Sequence, residues 1–399
     1  MNLPRLLLVR NADAYAPEPL GRRDLLIGGG EILAMSENLS AFTHVDPTLV
    51  ETVDLGGARV CPGFVDSHVH LTGGGGEAGP ASRVPRVSFT DLSLAGVTTA
   101  VGVLGTDGTT RDVASLISAV AGLREEGLSA YAWTGSYEIP PITLTGSVRK
   151  DLVYVDAVIG VGEVALSDHR SSQPTFDELA RLAADCHVGG LMTGKAGILH
   201  LHLGDGPRGL SLVRRILDET ELPARVFHPT HVNRKTRLFE EALELARRGS
   251  TVDVTAFPVD EGEDAYSAED AVVRYLASDA PAHRLTVSSD GGGCLPTFDG
   301  EGRLTKMGVG SSSALGKTLA ELLRRGLALE TVLPFFTSNV ADLLRLGKKG
   351  RLRPGASADL VVLDERHGIR DVMACGRFVV RDHEPTVWGT FDRREQRAT

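Results

Sequence analysis

The chain has 399 residues, which is too long for one small core and suits a barrel-sized domain with an appendage. Its 42 basic and 52 acidic residues give a net charge of −10, which argues against nucleic acid or an anionic membrane as a partner. The four cysteines are widely spaced and form no CxxC pair, which argues against a disulfide framework or a zinc knuckle.

No apolar stretch reaches the roughly 20 residues that a membrane helix needs. The short apolar run at the N-terminus has no small-residue cleavage site after it. We therefore expect a cytoplasmic protein with no membrane partner.

Both ends of the chain contain short apolar or alternating runs that are typical of β-strands. These runs lie at 6–9, 24–27, 31–35, 358–363, 369–374 and 377–380. Glycine-rich and polar turns separate them, as at Gly28-Gly29-Gly30. We expect residues 1–57 and 350–389 to pair into one small β-sandwich domain built from both termini.

Between these segments the pattern changes to a strand followed by an amphipathic helix. The clearest pairs are 98–104 with 110–126, 225–228 with 235–248, and 285–290 with 312–325. Repeated βα units predict a parallel sheet with right-handed crossovers. Reactive side chains follow the strand ends, where (β/α)8 barrels have their active sites. The predicted fold is therefore α/β, with a TIM-type (β/α)8 barrel over 58–349 and the small β-sandwich domain.

A His-x-His pair closes the first apolar run of this region, at 58–70. If that run is a strand, alternation puts His68 and His70 on one face, where two imidazoles can converge on a metal. The pair alone would also fit two half-exposed polar positions.

Four further candidate ligands, Glu163, His202, His231 and Asp290, each end a strand-like run. With the first pair they provide four imidazoles and two carboxylates, which could hold two divalent metals, with zinc favoured. Two metals can share a bridging hydroxide that is nucleophilic at neutral pH. Asp290 could accept its proton and return it to a leaving amine.

Each of these residues also has an ordinary explanation. A single histidine at a strand end is more often a hydrogen-bonded polar residue, and Asp290 could belong to a helix cap or a turn. Their coincidence in one βα array favours the metal site. His200 alternates with His202 on the same face and competes for the ligand role. The histidines interpreted as structural are His169, His187, His228 and His283.

Several longer motifs are more distinctive than the single ligands. They are PGFVDSHVH at 62–70, GGGGE at 73–77, AGVTT at 95–99, LGTD at 104–107, TGSY at 134–137, SDHR at 167–170, PTHVNR at 229–234 and SSDG at 288–291. In these motifs, and over nearly its whole length, the chain resembles the isoaspartyl dipeptidases (β-aspartyl-peptidases) of the amidohydrolase superfamily. The closing GASADLVV at 355–362 is typical of the wider superfamily.

The resemblance implies a barrel, a two-segment β-sandwich and two zinc ions per subunit, held by His68 with His70 and by His202 with His231. Asp290 would be a ligand and the proton shuttle. The implied substrate contacts are Tyr137 with the scissile carbonyl, Glu77 with the free α-amino group, Gly75 and Thr106 with the aspartyl α-carboxylate, and Arg170 and Arg234 with the carboxylate of the leaving residue. A homo-oligomer, such as an octamer, is also implied.

The charges of these residues suit such a substrate independently of the resemblance. A β-aspartyl dipeptide carries one ammonium and two carboxylates, which one glutamate, two arginines and Gly/Thr donors complement. Either arginine alone would fit a surface salt bridge. The glycine run at 73–76 would fit a flexible loop, but its position directly after the metal strand favours close approach of backbone to a ligand.

One departure from the family concerns the residue that bridges the metals. The family usually has a carboxylated lysine there, whereas the stretch 160–170 contains Glu163 and no lysine. The glutamate side chain is shorter, so the backbone must come about 3 Å closer. The stretch is also one residue longer, with Gly162 as the spare residue of a bulge that re-aims the side chain. We hypothesise that Glu163 bridges the metals in place of the carbamate.

The second departure is Cys294, where the family tends to have serine. A thiol is a weak hydrogen-bond donor, so contact with the leaving-residue carboxylate would weaken turnover or shift specificity. A buried, apolar role in packing is the alternative.

The sequence thus predicts metal-dependent hydrolysis of β-aspartyl (isoaspartyl) dipeptides. One alternative is a related amidohydrolase for another acidic amide or cyclic imide, of the N-acyl-amino-acid or dihydropyrimidine type. Another is a non-catalytic scaffold, which the retention of both histidine pairs and Asp290 argues against because a scaffold gains nothing from a buried charged cluster.

Overall fold

The structure, a computed structural model, describes residues 6–298, 301 and 303–392. The strands are β1 (Leu6–Tyr15), β2 (Pro19–Gly28), β3 (Glu31–Ser36), β4 (Val50–Asp54), β5 (Arg59–Pro62), β6 (Phe64–Val69), β7 (Val97–Gly102), β8 (Ser129–Thr134), β9 (Val158–Leu166), β10 (Ile198–Leu203), β11 (Phe227–Thr230), β12 (Val252–Thr255), β13 (Leu285–Ser288), β14 (Cys294–Phe298), β15 (Leu304–Val309), β16 (Leu360–Leu363), β17 (Ile369–Ala374), β18 (Arg377–Arg381) and β19 (Glu384–Pro385). The helices are α1 (Phe89–Leu94), α2 (Val113–Glu126), α3 (Val148–Tyr154), α4 (Phe176–Thr193), α5 (Ser211–Glu219), α6 (Thr236–Arg247), α7 (Ala268–Ala277), α8 (Ser313–Arg324), α9 (Leu329–Val332) and α10 (Ser338–Leu343).

The central part of the chain forms the predicted barrel. Strands β6 to β11 pair in chain order in a six-stranded parallel sheet, and β12 pairs with β13 in parallel. A bridge between Val69 and Gly291 brings the end of β13 beside β6. Every residue of β6 is buried, as expected for a strand covered on both faces. The predicted (β/α)8 fold class is confirmed.

The two ends of the chain meet in a nine-stranded sheet with the order β19-β18-β17-β16-β5-β1-β2-β3, and β4 pairs with β1. This sheet packs on a hydrophobic core of its own. That core includes Leu7 and Val9 from the N-terminal part of the chain and Leu360 and Met373 from the C-terminal part. The exact domain boundaries, 1–57 with 350–389 and 58–349, stay a proposal.

The run at 58–70 forms two strands rather than one. It breaks at Gly63, where a Cβ atom would lie 2.2 Å from the Thr98 hydroxyl oxygen. Strand β5 pairs with β16 in the terminal sheet, whereas β6 is the first barrel strand. His68 is therefore the last residue but one of a short strand that is held from both sides, and His70 directly follows that strand. Within the described residues, no helix is long and apolar enough to span a bilayer.

Candidate metal centre and substrate pocket

The side chains predicted to form the site meet at the carboxyl ends of the barrel strands. All of them except His68 line one cavity, and His68 is fully buried beside the lining residues Glu163 and Asp290. The lining residues are His70, Gly75, Glu77, Thr106, Tyr137, Glu163, Arg170, His202, His231, Arg234, Asp290 and Cys294.

The Glu163 carboxylate lies at the centre of the histidine cluster. Its Oε1 is 3.4 Å from Nε2 of His68 and 3.4 Å from Nε2 of His70. Its Oε2 is 3.1 Å from Nδ1 of His202 and 3.7 Å from Nε2 of His231. Each carboxylate oxygen therefore faces one histidine pair.

A bulge in β9 brings Glu163 to this position. Across β9 and β10, Leu199 is opposite Val161 and Leu201 is opposite Val164, so two residues of β9 share one position on β10. The extra residue is accommodated at Gly162, where a Cβ atom would lie 2.7 Å from the Cβ of His200. The Gly162–Glu163 peptide bond is cis. The bulge predicted at Gly162 is confirmed. It aims the side chain of Glu163 into the histidine cluster.

The protonation states of the cluster suit cation binding. Burial alone would raise the pKa of Glu163, but the imidazoles around it lower that pKa well below its usual range. Burial lowers the pKa of His231 to about 3, so its ring is neutral. Burial also opposes the charged form of His68, but Glu163 and Asp290 outweigh it and raise the pKa of His68 to about 9. A metal must therefore displace a proton from His68.

Asp290 lies on the His68 and His70 side of the cluster. Its Oδ1 is 3.1 Å from Nε2 of His70 and 3.5 Å from Nε2 of His68. Burial raises its pKa, but the close approach of His70 and the other imidazoles outweighs burial and lowers the pKa to about 2. Asp290 and His231 both adopt left-handed backbone conformations, with φ of 52° and 59°. Non-glycine residues adopt this conformation rarely, and such strained positions concentrate at functional sites.

The residues present fit a pair of metal ions. Two groups of three ligand atoms, His68 with His70 and Glu163, and His202 with His231 and Glu163, share the one glutamate. Nε2 of His68 and Oδ1 of Asp290 are buried without a hydrogen-bond partner. Unpaired buried polar atoms are costly, and a cation between them would remove that cost. A nitrogen-rich donor set favours zinc.

Two residues that were not predicted from the sequence as site residues, Asp168 and Thr255, contact the His202 and His231 pair. Oδ2 of Asp168 lies 3.1 Å from Nε2 of His202 and also accepts a hydrogen bond of 2.7 Å from Arg170. The Thr255 hydroxyl lies 2.7 Å from Nδ1 of His231. The position of Asp168 directly before His169-Arg170 in the SDHR motif was the one available signal, since a carboxylate beside an arginine can orient both partners.

The Tyr137 hydroxyl lies 2.8 Å from Nδ1 of His202, and the Arg170 guanidinium lies over its ring at 5.4 Å. Burial raises the pKa of Tyr137 well above its usual value. The phenol therefore keeps its proton and can donate a hydrogen bond into the cavity.

Glu77 contacts two residues that were predicted to bind substrate carboxylates. Its Oε1 accepts hydrogen bonds from the Thr106 hydroxyl at 3.0 Å and from Arg170 at 3.2 Å, whereas its Oε2 is buried without a partner. Arg234 lies 3.3 Å from Nε2 of His202. Gly75 has a φ of +78°, and a Cβ there would lie 2.5 Å from the Ser82 carbonyl oxygen, so glycine is required.

Cys294 begins the hairpin of β14 and β15 and is half-buried at the cavity wall. Burial raises the pKa of its thiol to about 11, so the sulfur carries its proton at neutral pH. Its effect on specificity stays a prediction.

His200 does not belong to either ligand group of the described residues. Its ring lies behind His68, with its Nε2 2.8 Å from Nδ1 of His68, and its Nδ1 lies 2.9 Å from Nδ1 of His228. His202 is the histidine of the pair on β10 that faces Glu163.

Comparison with known proteins gives consistent results over most of the chain. Residues 59–379 match the model of the amidohydrolase family. A crystal structure of a β-aspartyl dipeptidase from the thermophilic, keratin-degrading Fervidobacterium islandicum AW-1, in complex with β-Asp-Leu dipeptide, is 39% identical. The match covers 98% of this chain and 100% of that one, with a TM-score of 0.92. A second crystal structure of that dipeptidase matches with 39% identity, coverage of 97% and 100%, and a TM-score of 0.88.

More distant structures share the fold. A D-hydantoinase (dihydropyrimidinase) from a Thermus species is 16% identical, over 97% of this chain and 98% of its own, with a TM-score of 0.67. A dihydropyrimidinase from Brevibacillus agri NCHU1002 is 16% identical, over 96% and 97%, with a TM-score of 0.65. At this identity the likeness concerns architecture alone.

Proposed function

The chain belongs to the amidohydrolase family and, within it, to the β-aspartyl dipeptidases, and we propose on this basis that it hydrolyses β-aspartyl (isoaspartyl) dipeptides at a binuclear zinc centre. One observation carries the proposal. A single carboxylate, Glu163, faces one histidine pair with each of its oxygens, in a cavity that also presents one unpaired glutamate oxygen and two arginines.

The chain's own residues would hold the ions. His68, His70 and Asp290 would bind one, His202 and His231 the other, and Glu163 would bridge them in place of a carboxylated lysine. When bound, the ions would polarise the scissile carbonyl and activate water at neutral pH. The low pKa of the carboxylates and the neutral ring of His231 support this role.

Asp290 would move the proton. Its Oδ1 has no hydrogen-bond partner and points toward the histidines, so it can accept a proton from the attacking water. Water then adds to the amide carbon, the C–N bond breaks, and the same proton passes to the leaving nitrogen. Tyr137, which keeps its proton, would donate a hydrogen bond to the carbonyl oxygen as negative charge develops there.

Charge complementarity would orient the dipeptide. The free Oε2 of Glu77 would accept the substrate ammonium, and Arg234 with Arg170 would bind the carboxylate of the leaving residue. Gly75 and Thr106 would meet the aspartyl α-carboxylate. Because Thr106 and Arg170 contact Glu77 in the structure, substrate binding would exchange part of these hydrogen bonds.

Cleavage of β-Asp-Leu, α-Asp-Leu and N-acetyl-aspartate by the purified protein, together with its zinc content, tests the proposal. We expect cleavage of β-Asp-Leu only, and two zinc ions per chain. Equal cleavage of the two Asp-Leu isomers would contradict the isoaspartyl assignment. Less than about one zinc per chain would favour the scaffold alternative. The cytoplasmic location and the homo-oligomer, such as an octamer, stay predictions.

A further inference from the structure

Behind His68, on the side away from the cavity, a row of buried polar side chains continues through the barrel interior. Nδ1 of His68 lies 2.8 Å from Nε2 of His200, and Nδ1 of His200 lies 2.9 Å from Nδ1 of His228. Nε2 of His228 lies 3.2 Å from the Thr286 hydroxyl, which donates to Oδ1 of Asp253 at 2.6 Å. All five side chains have an exposure of 0%. We call this row the imidazole chain.

The carboxylate end decides the direction of every hydrogen bond in the imidazole chain. Thr286 has one hydroxyl proton, and because that proton goes to Asp253, only a lone pair faces His228. His228 must then carry its proton on Nε2 and offer a bare Nδ1. His200 consequently donates from Nδ1 and offers a bare Nε2, so that His68 donates from Nδ1. The remaining nitrogen of His68, Nε2, faces Glu163, and it is the nitrogen at which a cation would replace a proton.

The surroundings of Asp253 keep this direction. Its Oδ2 accepts hydrogen bonds from the hydroxyls of Thr230 at 2.7 Å and Ser288 at 2.5 Å. A proton on Oδ2 would leave Oδ1 as the acceptor for Thr286, so the order along the imidazole chain would not change. Only a proton on Oδ1 would reverse it.

No competing donor approaches the middle of the imidazole chain among the described residues. The indole of Trp133 stacks on His200, with ring centres 5.2 Å apart and planes 18° apart. Its Nε1 donates to the Ser67 carbonyl oxygen instead of to a histidine. The rings of His200 and His228 meet edge to edge through their Nδ1 atoms, with centres 4.8 Å apart and planes 29° apart. The rings are therefore held in place by packing, and their protons by the hydrogen bonds.

Packing alone does not account for these residues. Buried imidazoles lose hydration, and apolar side chains would fill the same volume without that cost. The exact pairing of each ring nitrogen offsets the cost only if the hydrogen bonds are all made in one consistent order.

We propose that His200 and His228 are positioning residues, and that the imidazole chain from Asp253 holds His68 in the Nδ1–H form so that its Nε2 stays available to a metal ion. The inference rests on the proposed function, because it assumes that His68 and His70 bind a metal. In many metal sites one carboxylate orients a histidine ligand directly. Here the carboxylate acts through three intervening side chains.

The first test reads the proton positions in the wild-type protein. Solid-state NMR of protein labelled with ¹⁵N-histidine, with and without zinc, distinguishes protonated from bare ring nitrogens, and His200→Gln and His228→Gln variants assign the signals. We expect protons on Nδ1 of His68, Nδ1 of His200 and Nε2 of His228. The opposite order for His200 and His228 would overturn the inference.

The second test uses Thr286→Val, which removes the hydroxyl between Asp253 and His228. This hydroxyl is separated from the proposed metal position by His228, His200 and His68. Affinity for one of the two zinc ions should fall about 10-fold, measured by chelator competition, and affinity for the other should not change. Thr286→Ser should restore wild-type affinity because it keeps the hydroxyl. Ser288→Ala is the matched control, since Ser288 donates to the other oxygen of the same carboxylate and lies outside the imidazole chain.

The outcomes separate this inference from the proposed function. The inference would be overturned if Thr286→Val bound zinc as tightly as the wild-type protein, or if Ser288→Ala lost as much zinc affinity as Thr286→Val. In either case, two zinc ions in the wild-type protein would still support the proposed function. A wild-type protein without zinc would contradict both.

Discussion

The two halves of the candidate metal centre are supported in different ways. The half with His68 and His70 is backed by the imidazole chain, a buried series that ends on Asp253 and does not line the cavity. The half with His202 and His231 is backed by Asp168, whose other partner is Arg170 at the cavity wall. Metal binding in the first half can therefore change without substrate contacts, whereas in the second half the two are coupled.

Glu163→Gln should remove this distinction, because Glu163 is the one residue shared by both halves. Zinc content should fall below one ion per chain. Activity on β-Asp-Leu should fall by about 10³-fold or more, because a metal supplies several kcal/mol of transition-state stabilisation. Metal analysis and steady-state kinetics measure both. Glu240→Gln, the same change at an exposed residue of α6, is the control and should behave as wild type. Two tightly bound zinc ions in Glu163→Gln would contradict the bridging role.

Asp290→Asn should affect the halves unequally. The rate constant kcat should fall by about 10²- to 10⁴-fold, the range for loss of a general base. The ion between His202 and His231 should remain, because Asp290 contacts the other pair. Kinetics and zinc content of the same preparation provide the measurement. An unchanged kcat with normal zinc content would exclude Asp290 as the proton carrier.

Asp168→Asn tests the coupling in the second half. Zinc affinity at His202 and His231 should fall about 10- to 100-fold, as for other outer partners of metal ligands. The KM for β-Asp-Leu should rise as well, since Arg170 loses its paired carboxylate. Thr286→Val is the comparison, because it should change zinc affinity and leave KM alone at saturating zinc. If both variants changed KM equally, the proposed difference between the halves would not hold.

Cys294→Ser should have the smallest effect. A hydroxyl donates a stronger hydrogen bond than a thiol, so the KM for β-Asp-Leu should fall by about threefold with kcat unchanged. Zinc affinity should not change in either half. An unchanged KM would assign Cys294 to packing at the cavity wall instead.

The sequence predicted most of the site because its residues follow strands. Alternation placed His68 and His70 on one face, and the extra residue beside Gly162 predicted the bulge that turns Glu163 inward. Asp168 was missed because its importance depends on which histidine of the neighbouring strand its side chain reaches, and no spacing in the chain records that distance.

The two buried histidines of the imidazole chain illustrate the same limit. His200 was a candidate ligand and His228 a structural residue on sequence grounds, since both end apolar runs. Their hydrogen bonds join strands β6, β10, β11, β12 and β13, so only the closed barrel brings them into line.

The sequence by itself determined the fold class, and it predicted the candidate ligands and the charges that would face a dipeptide, because periodicity and residue chemistry are local properties. The tertiary structure alone decided that Glu77 holds Thr106 and Arg170, that Asp168 lies against His202, and that a remote aspartate orients His68. These are relations between strands that are far apart in the chain. They arise when the barrel closes and its interior excludes water, which leaves each buried polar group with the protein as its only partner.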